Sequence, residues 1–264
     1  MGELRQATFE GEAYRAQEEV FFDDGREIEL LHFVYSHPRL DEMRGNPQKV
    51  LDAIDEFGRT RKYLMNIGEY KSKTVINLIK NEKPRVMVEL GGYVGYSAVA
   101  FGAALRDVGG KRYYSLEKNP EFAAVISMLV ALAGLSDIVK VVVGSSSSSL
   151  ERLCKEGALT HIDLLFLDHY KPAYITDLKL CEELALVSVG SVFAADNVVK
   201  PGNPPYLEYV RSTVEEKRKR ISDGDKSNYK GNPNLVYESR FVEGWEPSGV
   251  PDAIEITKCV GVEA

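Results

Sequence analysis

Val86-Met87-Val88-Glu89-Leu90-Gly91-Gly92-Tyr93-Val94-Gly95-Tyr96-Ser97 reads as a short apolar strand, a glycine-rich turn and the entry to a helix. Glycine lets the backbone turn sharply and approach a ligand closely. The spacing is not the Gly-x-Gly-x-x-Gly of a dinucleotide pyrophosphate loop, and no lysine-tipped phosphate loop follows. An acidic side chain, Glu89, sits at the turn instead. A carboxylate there repels a pyrophosphate and attracts a cation or the ammonium of an amino acid.

Beyond this stretch, short apolar runs alternate with helical ones. Strands are predicted at 86–90, 112–116, 139–143, 164–167 and 191–195, and helices at 97–105, 120–133, 150–155, 175–186 and 205–220. Such alternation builds a parallel sheet covered by helices on both faces. The tail differs: 235–241 and 253–260 read as strands with a Gly/Pro-containing connection and no helix between them. An antiparallel pair at the sheet end fits. Residues 222–234, rich in Asp, Gly, Asn and Lys, read as a loop. Upstream, Asn46 and Pro47 open a helix with an apolar face of Val50, Leu51, Ile54 and Phe57, and a second helix covers 69–81. Residues 1–45 form an N-terminal extension, helical in part through the stripe Ile28, Leu30, Leu31, Phe33 and Val34; residues 46–264 form the main domain. His32 and His37, without partners at ligand spacing, read as incidental.

The 264 residues carry a net charge of -7. That balance disfavours a general nucleic-acid role, because phosphate binding wants a basic surface. The basic cluster Lys217-Arg218-Lys219-Arg220 follows Glu215-Glu216 and reads as a solvated helix face or loop. Cys154, Cys181 and Cys259 are widely spaced and show neither disulfide nor zinc spacing, so a reducing compartment is expected. The start, Met1-Gly2-Glu3-Leu4-Arg5-Gln6, lacks the apolar core of a signal peptide, and Gln6 stands where myristoylation asks for Ser or Thr. The longest nearly apolar run, 123–135, falls short of the roughly 20 residues that span a bilayer and reads as a buried helix. A cytoplasmic protein with no membrane partner is expected.

Ligands of an open parallel sheet gather beyond the carboxyl ends of its strands. The second strand ends in Ser115-Leu116-Glu117, and Glu117 suits hydrogen bonds to two ribose hydroxyls. After the third strand comes Gly144-Ser145-Ser146-Ser147-Ser148-Ser149. This run is either a flexible linker or, since Ser148-x-x-Glu151 is a capping box, an ordered helix start with hydroxyls near an adenine edge. Together these features suggest an adenosine ligand that lacks phosphates and carries an amino-acid end, for which S-adenosylmethionine is the natural candidate.

Two later strands finish in acid, at Asp168 and at Asp196-Asn197. If these strands are neighbours, Asp168, Asp196 and Asn197 offer three hard oxygen donors, which suit Mg2+ better than zinc. Either aspartate alone is as well explained as a helix cap; the pair with an adjoining asparagine favours the cation. In Asp168-His169-Tyr170-Lys171, the lysine stands beside these acids. An amine near a divalent cation in a partly dry pocket gives up its proton more readily and can act as a general base. The alternative is a surface lysine paired with a helix carboxylate.

These residues resemble the catechol O-methyltransferase family over roughly residues 46–260. The shared runs are Met65-Asn66-Ile67-Gly68, Glu89-Leu90-Gly91 with Gly95-Tyr96-Ser97, Glu117 before Asn119-Pro120, Asp168-His169 and Ala195-Asp196-Asn197. The resemblance implies an α/β fold: a seven-stranded, mostly parallel Rossmann-like methyltransferase sheet whose last strand runs antiparallel. It implies cofactor contacts at Met65, Ile67, Glu89, Tyr93, Ser97, Glu117, Lys118, Ser146, Ser147 and His169, with Gly91 and Asp168 beside them. It further implies magnesium at Asp168, Asp196 and Asn197, and Lys171 as the base. Substrate contacts would come from Tyr63, Met65, Asp168, Tyr170, Lys171, Asn197 and Pro201. Tyr63 and Tyr170 stand where family members carry tryptophans, which makes the pocket more polar and slightly wider. A family glutamate that holds the second hydroxyl falls on Tyr237 in an ungapped match, with Glu238 adjacent.

The expected reaction moves the methyl of S-adenosylmethionine to one hydroxyl of a Mg2+-chelated catechol, a small-molecule partner; a monomer is compatible with it. Alternatives are methylation of another vicinal diol such as a caffeoyl-type phenylpropanoid, or a cofactor-binding regulatory protein without turnover.

Overall fold

A computed structural model describes residues 9–18 and 24–264. Met1–Gln6, read above for a leader, lie outside the described residues. Among the described residues, four helices precede the first strand: α1 (Arg26–Tyr35), α2 (Leu40–Met43), α3 (Pro47–Thr60) and α4 (Gly68–Glu82). Then β1 (Val86–Leu90), α5 (Tyr96–Asp107), β2 (Arg112–Glu117), α6 (Pro120–Leu132), β3 (Val139–Val143) and α7 (Ser146–Lys155) follow in alternation. The chain continues through β4 (Leu164–Leu167), α8 (Tyr174–Glu183), β5 (Val192–Ala195), α9 (Pro204–Val210), α10 (Val214–Ser222), β6 (Leu235–Trp245) and β7 (Pro251–Val262).

The strands form one seven-stranded sheet in the order β3-β2-β1-β4-β5-β7-β6. β1 pairs in parallel with β2 on one side and β4 on the other, so the strand order reverses beside it. That reversal opens the crevice where ligands of such sheets bind. β7 runs antiparallel to both β5 and β6. The expected α/β architecture is therefore the observed one. β1 shows why helices lie on both faces: Met87 joins the core under α3–α6, while Val88 and Leu90 join the core under α7–α9.

Local differences have local causes. The helix expected over 205–220 is two, α9 and α10, broken before Thr213. The Thr213 hydroxyl accepts from the Glu216 N–H at 3.2 Å, and the Glu216 carboxylate accepts from the Thr213 N–H at 2.8 Å. This reciprocal cap starts a new helix and outweighs continuation of the first. The basic cluster on α10 is not all solvated: Lys217 is buried and donates to the Leu235 carbonyl at 2.7 Å, and Arg218 donates to Asn234 Oδ1. The serine run is helical from Ser146, capped by Ser145 rather than Ser148; the Ser145 hydroxyl accepts from the Ser148 N–H. The apolar run 123–135 lies mostly within α6, with Val125, Ile126 and Leu129 fully buried.

Leu30 and Val34 of α1 and Met43 of α2 are buried in the same core as α3 and α6, so this part of the N-terminal segment packs against the sheet domain. No helix among the described residues is long and apolar enough to cross a membrane. Cys154, Cys181 and Cys259 are free.

Candidate active site

The carboxyl ends of β1, β2, β4 and β5 surround a cavity of about 440 Å³, within the usual range for small-molecule sites. Its floor is the glycine turn. Gly91 has φ +89°, and a Cβ on it would stand 2.7 Å from the Asp168 carbonyl oxygen, so only glycine lets β1 and β4 end this close together. Glu89 is fully buried behind the turn; one carboxylate oxygen accepts from Ser115 Oγ at 2.6 Å, and Oε1 has no partner among the described residues. Burial pushes its pKa up to about 7. An orphaned, buried carboxylate oxygen is a ready acceptor for a ligand ammonium. Glu117, at the end of β2, accepts from the N–H groups of Gly92 and Tyr93 at 3.1 and 3.0 Å and so ties β2 to the turn.

Beside it, Asp177 of α8 gathers three donors: Ser146 Oγ at 2.5 Å, Ser147 Oγ at 2.7 Å and His169 Nε2 at 2.8 Å. Burial opposes the Asp177 charge, but these hydrogen bonds outweigh it and hold its pKa below the ordinary value. His169 stacks on Tyr174, and burial lowers its pKa. The two serine hydroxyls, expected at a cofactor, are thus committed to Asp177, and Lys118 is exposed; none of the three lines the cavity. Met65, Ile67, Gly91, Tyr93, Ser97, Glu117, Asp168 and His169 line the cavity, and Glu89 lies behind the turn without lining it.

The polar end is built from β4 and β5. Lys171 Nζ donates to Asp168 Oδ1 at 3.2 Å and to the Tyr174 hydroxyl at 2.7 Å. Burial, with the charge of Asp196 adding to it, raises Asp168 to about 7 and moves Asp196 upward as well. Asp168 faces the Lys171 ammonium and Asp196 the Lys71 ammonium, and burial nonetheless holds both carboxylates above their ordinary range. Asn197, in the left-handed conformation at φ +58°, donates its Nδ2 to Glu246 at 2.6 Å and to Asp252 at 3.1 Å. Both bonds use the amide nitrogen and leave Oδ1 for a cation. The donor set Asp168, Asp196 and Asn197 therefore fits Mg2+ chemically.

Among the described residues, the tightest acidic cluster is a different one: Asp196, Glu246 and Asp252. It encloses an ammonium. Lys71 Nζ stands 2.7 Å from Asp196 Oδ1, 2.5 Å from Glu246 Oε1 and 2.6 Å from Asp252 Oδ2, with all four side chains buried. Burial opposes the Lys71 charge, but the three carboxylates outweigh it and keep the amine protonated.

Neither Tyr237, where the ungapped match falls, nor the adjacent Glu238, expected at the second hydroxyl, lines the cavity. Glu238 lies in a separate groove with Leu78, Glu82 and Lys258, and Tyr237 donates its hydroxyl to Glu182 at 2.6 Å. The acid from these strands that lines the cavity is Glu246, just past β6, raised to about 8 by burial. Lys71, Glu246, Asp252, Asp177 and Gln17 were all missed in the sequence. A carboxylate after a strand was a usable signal for Glu246, had β6 been read to its true end. Of the aromatic walls, Tyr63 is buried and Tyr170 is 75% exposed at the rim, and Pro201 completes the lining.

A family model described as O-methyltransferase matches residues 43–216. The bovine catechol O-methyltransferase is 39% identical over 186 residues, 70% of this chain and 66% of that protein. The mouse catechol O-methyltransferase is 37% identical over 71% of this chain and 69% of its own length. The human Transmembrane O-methyltransferase is 33% identical over 67% of this chain and 61% of that protein. The matched region thus spans about two thirds of the length of these curated relatives. Among solved structures, an O-methyltransferase from Bacillus cereus in complex with SAH superposes with a TM-score of 0.57 at 19% identity, covering 88% of this chain and 97% of that one. One from Streptomyces achromogenes in complex with SAM gives 0.55 at 22% identity, covering 91% of this chain and 100% of that one.

Proposed function

The chain belongs to the O-methyltransferase family, and we propose that it transfers the methyl group of S-adenosylmethionine to one hydroxyl of a Mg2+-chelated catechol, with Lys171 as general base. The observation that carries this reading is that Asp168, Lys171, Asn197 and Glu246 line one cavity with the glycine turn, Ser97 and Glu117.

On the cofactor side, the Glu89 carboxylate attracts the amino-acid ammonium, and Glu117 accepts from the ribose hydroxyls. Gly91 lets the ligand lie against the backbone. His169, held by Asp177 and stacked on Tyr174, supports the adenine end. On the substrate side, Asp168, Asp196 and Asn197 would hold Mg2+, which when bound acidifies and orients the diol oxygens. Lys171, fixed by Asp168 and Tyr174, takes the proton of the reacting hydroxyl. Glu246 accepts from the second hydroxyl, and Tyr63, Met65, Tyr170 and Pro201 flank the ring. The oxygen then attacks the methyl carbon as sulfur leaves in line. Orientation and electrostatics supply the acceleration, with no covalent enzyme intermediate. With its free cysteines, the protein fits a cytoplasmic location.

Methyl transfer to catechol, to a caffeoyl-type diol and to a monophenol should be measured with Mg2+ and with excess chelator. Transfer to the diols alone, abolished by chelator and restored by Mg2+, is the expected result. Full activity in chelator, or transfer to the monophenol, would sink the metal-chelated diol.

A further inference from the structure

Residues 9–18 lie outside the region matched by the family model, and one of them, Gln17, lines the cavity beside Lys200, Pro201 and Glu246. Several contacts tie this strap down. The Tyr14 N–H donates to the Pro247 carbonyl at 2.9 Å and the Arg15 N–H to the Gly58 carbonyl at 3.0 Å. The Tyr14 hydroxyl bonds to Asp55, and its ring lies over Gly58, where a Cβ would stand 2.4 Å from a ring carbon. Phe9 meets the edge of Trp245. The strap thereby grips the β6–β7 turn that carries Glu246, and it delivers Gln17 to the cavity wall.

Gln17, Lys200 and Pro201 also line a second cavity of about 440 Å³, so the two spaces adjoin at these residues. The chemistry there is donor-rich. Gln17 Oε1 accepts from Ser248 Oγ at 3.3 Å, which leaves its amide N–H groups as the atoms open to a ligand. Lys200 is exposed, and among the described residues no carboxylate pairs with its ammonium. Glu18 also lines this second cavity, and its carboxylate is already bound to the two terminal guanidinium nitrogens of Arg26, at 2.6 and 3.1 Å. Among the described residues the outer chamber thus presents the Lys200 cation without a carboxylate partner, one amide donor and a carboxylate already paired with Arg26.

Building on the catechol reading above, we infer that the strap and Lys200 form a subsite for an anionic ring substituent, so the substrate class is a catechol bearing a carboxylate tail. Gln17 and Lys200 are specificity residues here; neither touches the reacting atoms. A tail of either charge meets Lys200 at a solvent-accessible rim, where one ion pair changes affinity by a modest factor.

The test compares kcat/KM for propanoate-, methyl- and ethylammonium-substituted catechols, for the full chain and its Lys200→Glu and Gln17→Ala variants. The full chain should prefer the propanoate over the ethylammonium tail by about three- to tenfold, as expected for a screened rim charge. Lys200→Glu should reverse the order, and Gln17→Ala should narrow it. Equal ratios for all three tails, or a preference unchanged by Lys200→Glu, would overturn the subsite while leaving the catechol reading in place. Transfer to none of the three by the full chain would overturn both.

Discussion

The Lys71 ammonium lies 2.7 Å from Asp196 Oδ1, with both side chains almost wholly buried. Lys71 comes from α4 and Asp196 from the end of β5. Glu246 and Asp252 complete the shell and pin the turn between β6 and β7 to the same centre. Removing one partner of such a cluster strands the remaining buried charge. Lys71→Met should therefore cost about 3–5 kcal/mol in a urea melt, typical of breaking a buried pair. At that size Tm should fall by roughly ten degrees. A loss below about 1 kcal/mol would show that the three acids protonate instead of repelling.

Lys171 has a separate task. Lys171→Ala should lower kcat by about 10²–10⁴-fold, the span of a general base, while the Kd for S-adenosylmethionine stays within a factor of about two by calorimetry, since Lys171 makes no contact with the glycine turn. Near-normal kcat would remove it from the base role.

Glu246 and Glu238 make a matched pair for mutagenesis. Glu246→Gln should reduce kcat/KM for a catechol by about 10- to 100-fold, as for a charged hydrogen bond. Glu238→Gln, in its separate groove, should leave it near the starting value. Equal effects would dissolve the distinction.

Glu89 is expected to act on the cofactor alone. Its unpaired, buried Oε1 predicts a rise in the S-adenosylmethionine Kd of about 10- to 100-fold in Glu89→Gln, the worth of one charge-assisted hydrogen bond. Unchanged affinity would place the cofactor ammonium elsewhere.

Asp55, which does not line the cavity, provides a pH signature. It accepts from the hydroxyls of Tyr14 and Tyr96, and burial nonetheless raises its pKa from 3.8 to about 6. Between those values the folded protein keeps a proton that the unfolded chain releases. Stability from this group is complete below the lower value and is lost as pH rises through the upper one, by at most about 3 kcal/mol. Asp55→Asn lacks this dependence. Its Tm relative to the unsubstituted protein should climb from about pH 4 to about pH 6 and then level off. A flat difference across that window would refute the assignment.

The alternation of strand and helix, the antiparallel end of the sheet and the acidic strand ends were legible in the amino-acid sequence, because each depends on residues adjacent in the chain. Val86–Leu90 is both the predicted and the observed first strand. Asp168, Lys171 and Asn197 were readable for the same reason: each lies within a few residues of a strand's carboxyl end. Which distant groups meet them follows only from the packing of the folded chain. The sequence pattern of β6 stops at Phe241, since Glu243 and Gly244 interrupt its apolar run; the ladder to β7 carries the strand on to Trp245. That extension, with a register shift at Val236/Tyr237, delivers Glu246 rather than Glu238. Lys71 and Gln17 reach the site through packing between segments far apart in sequence, and periodicity within one element contains no information about such meetings.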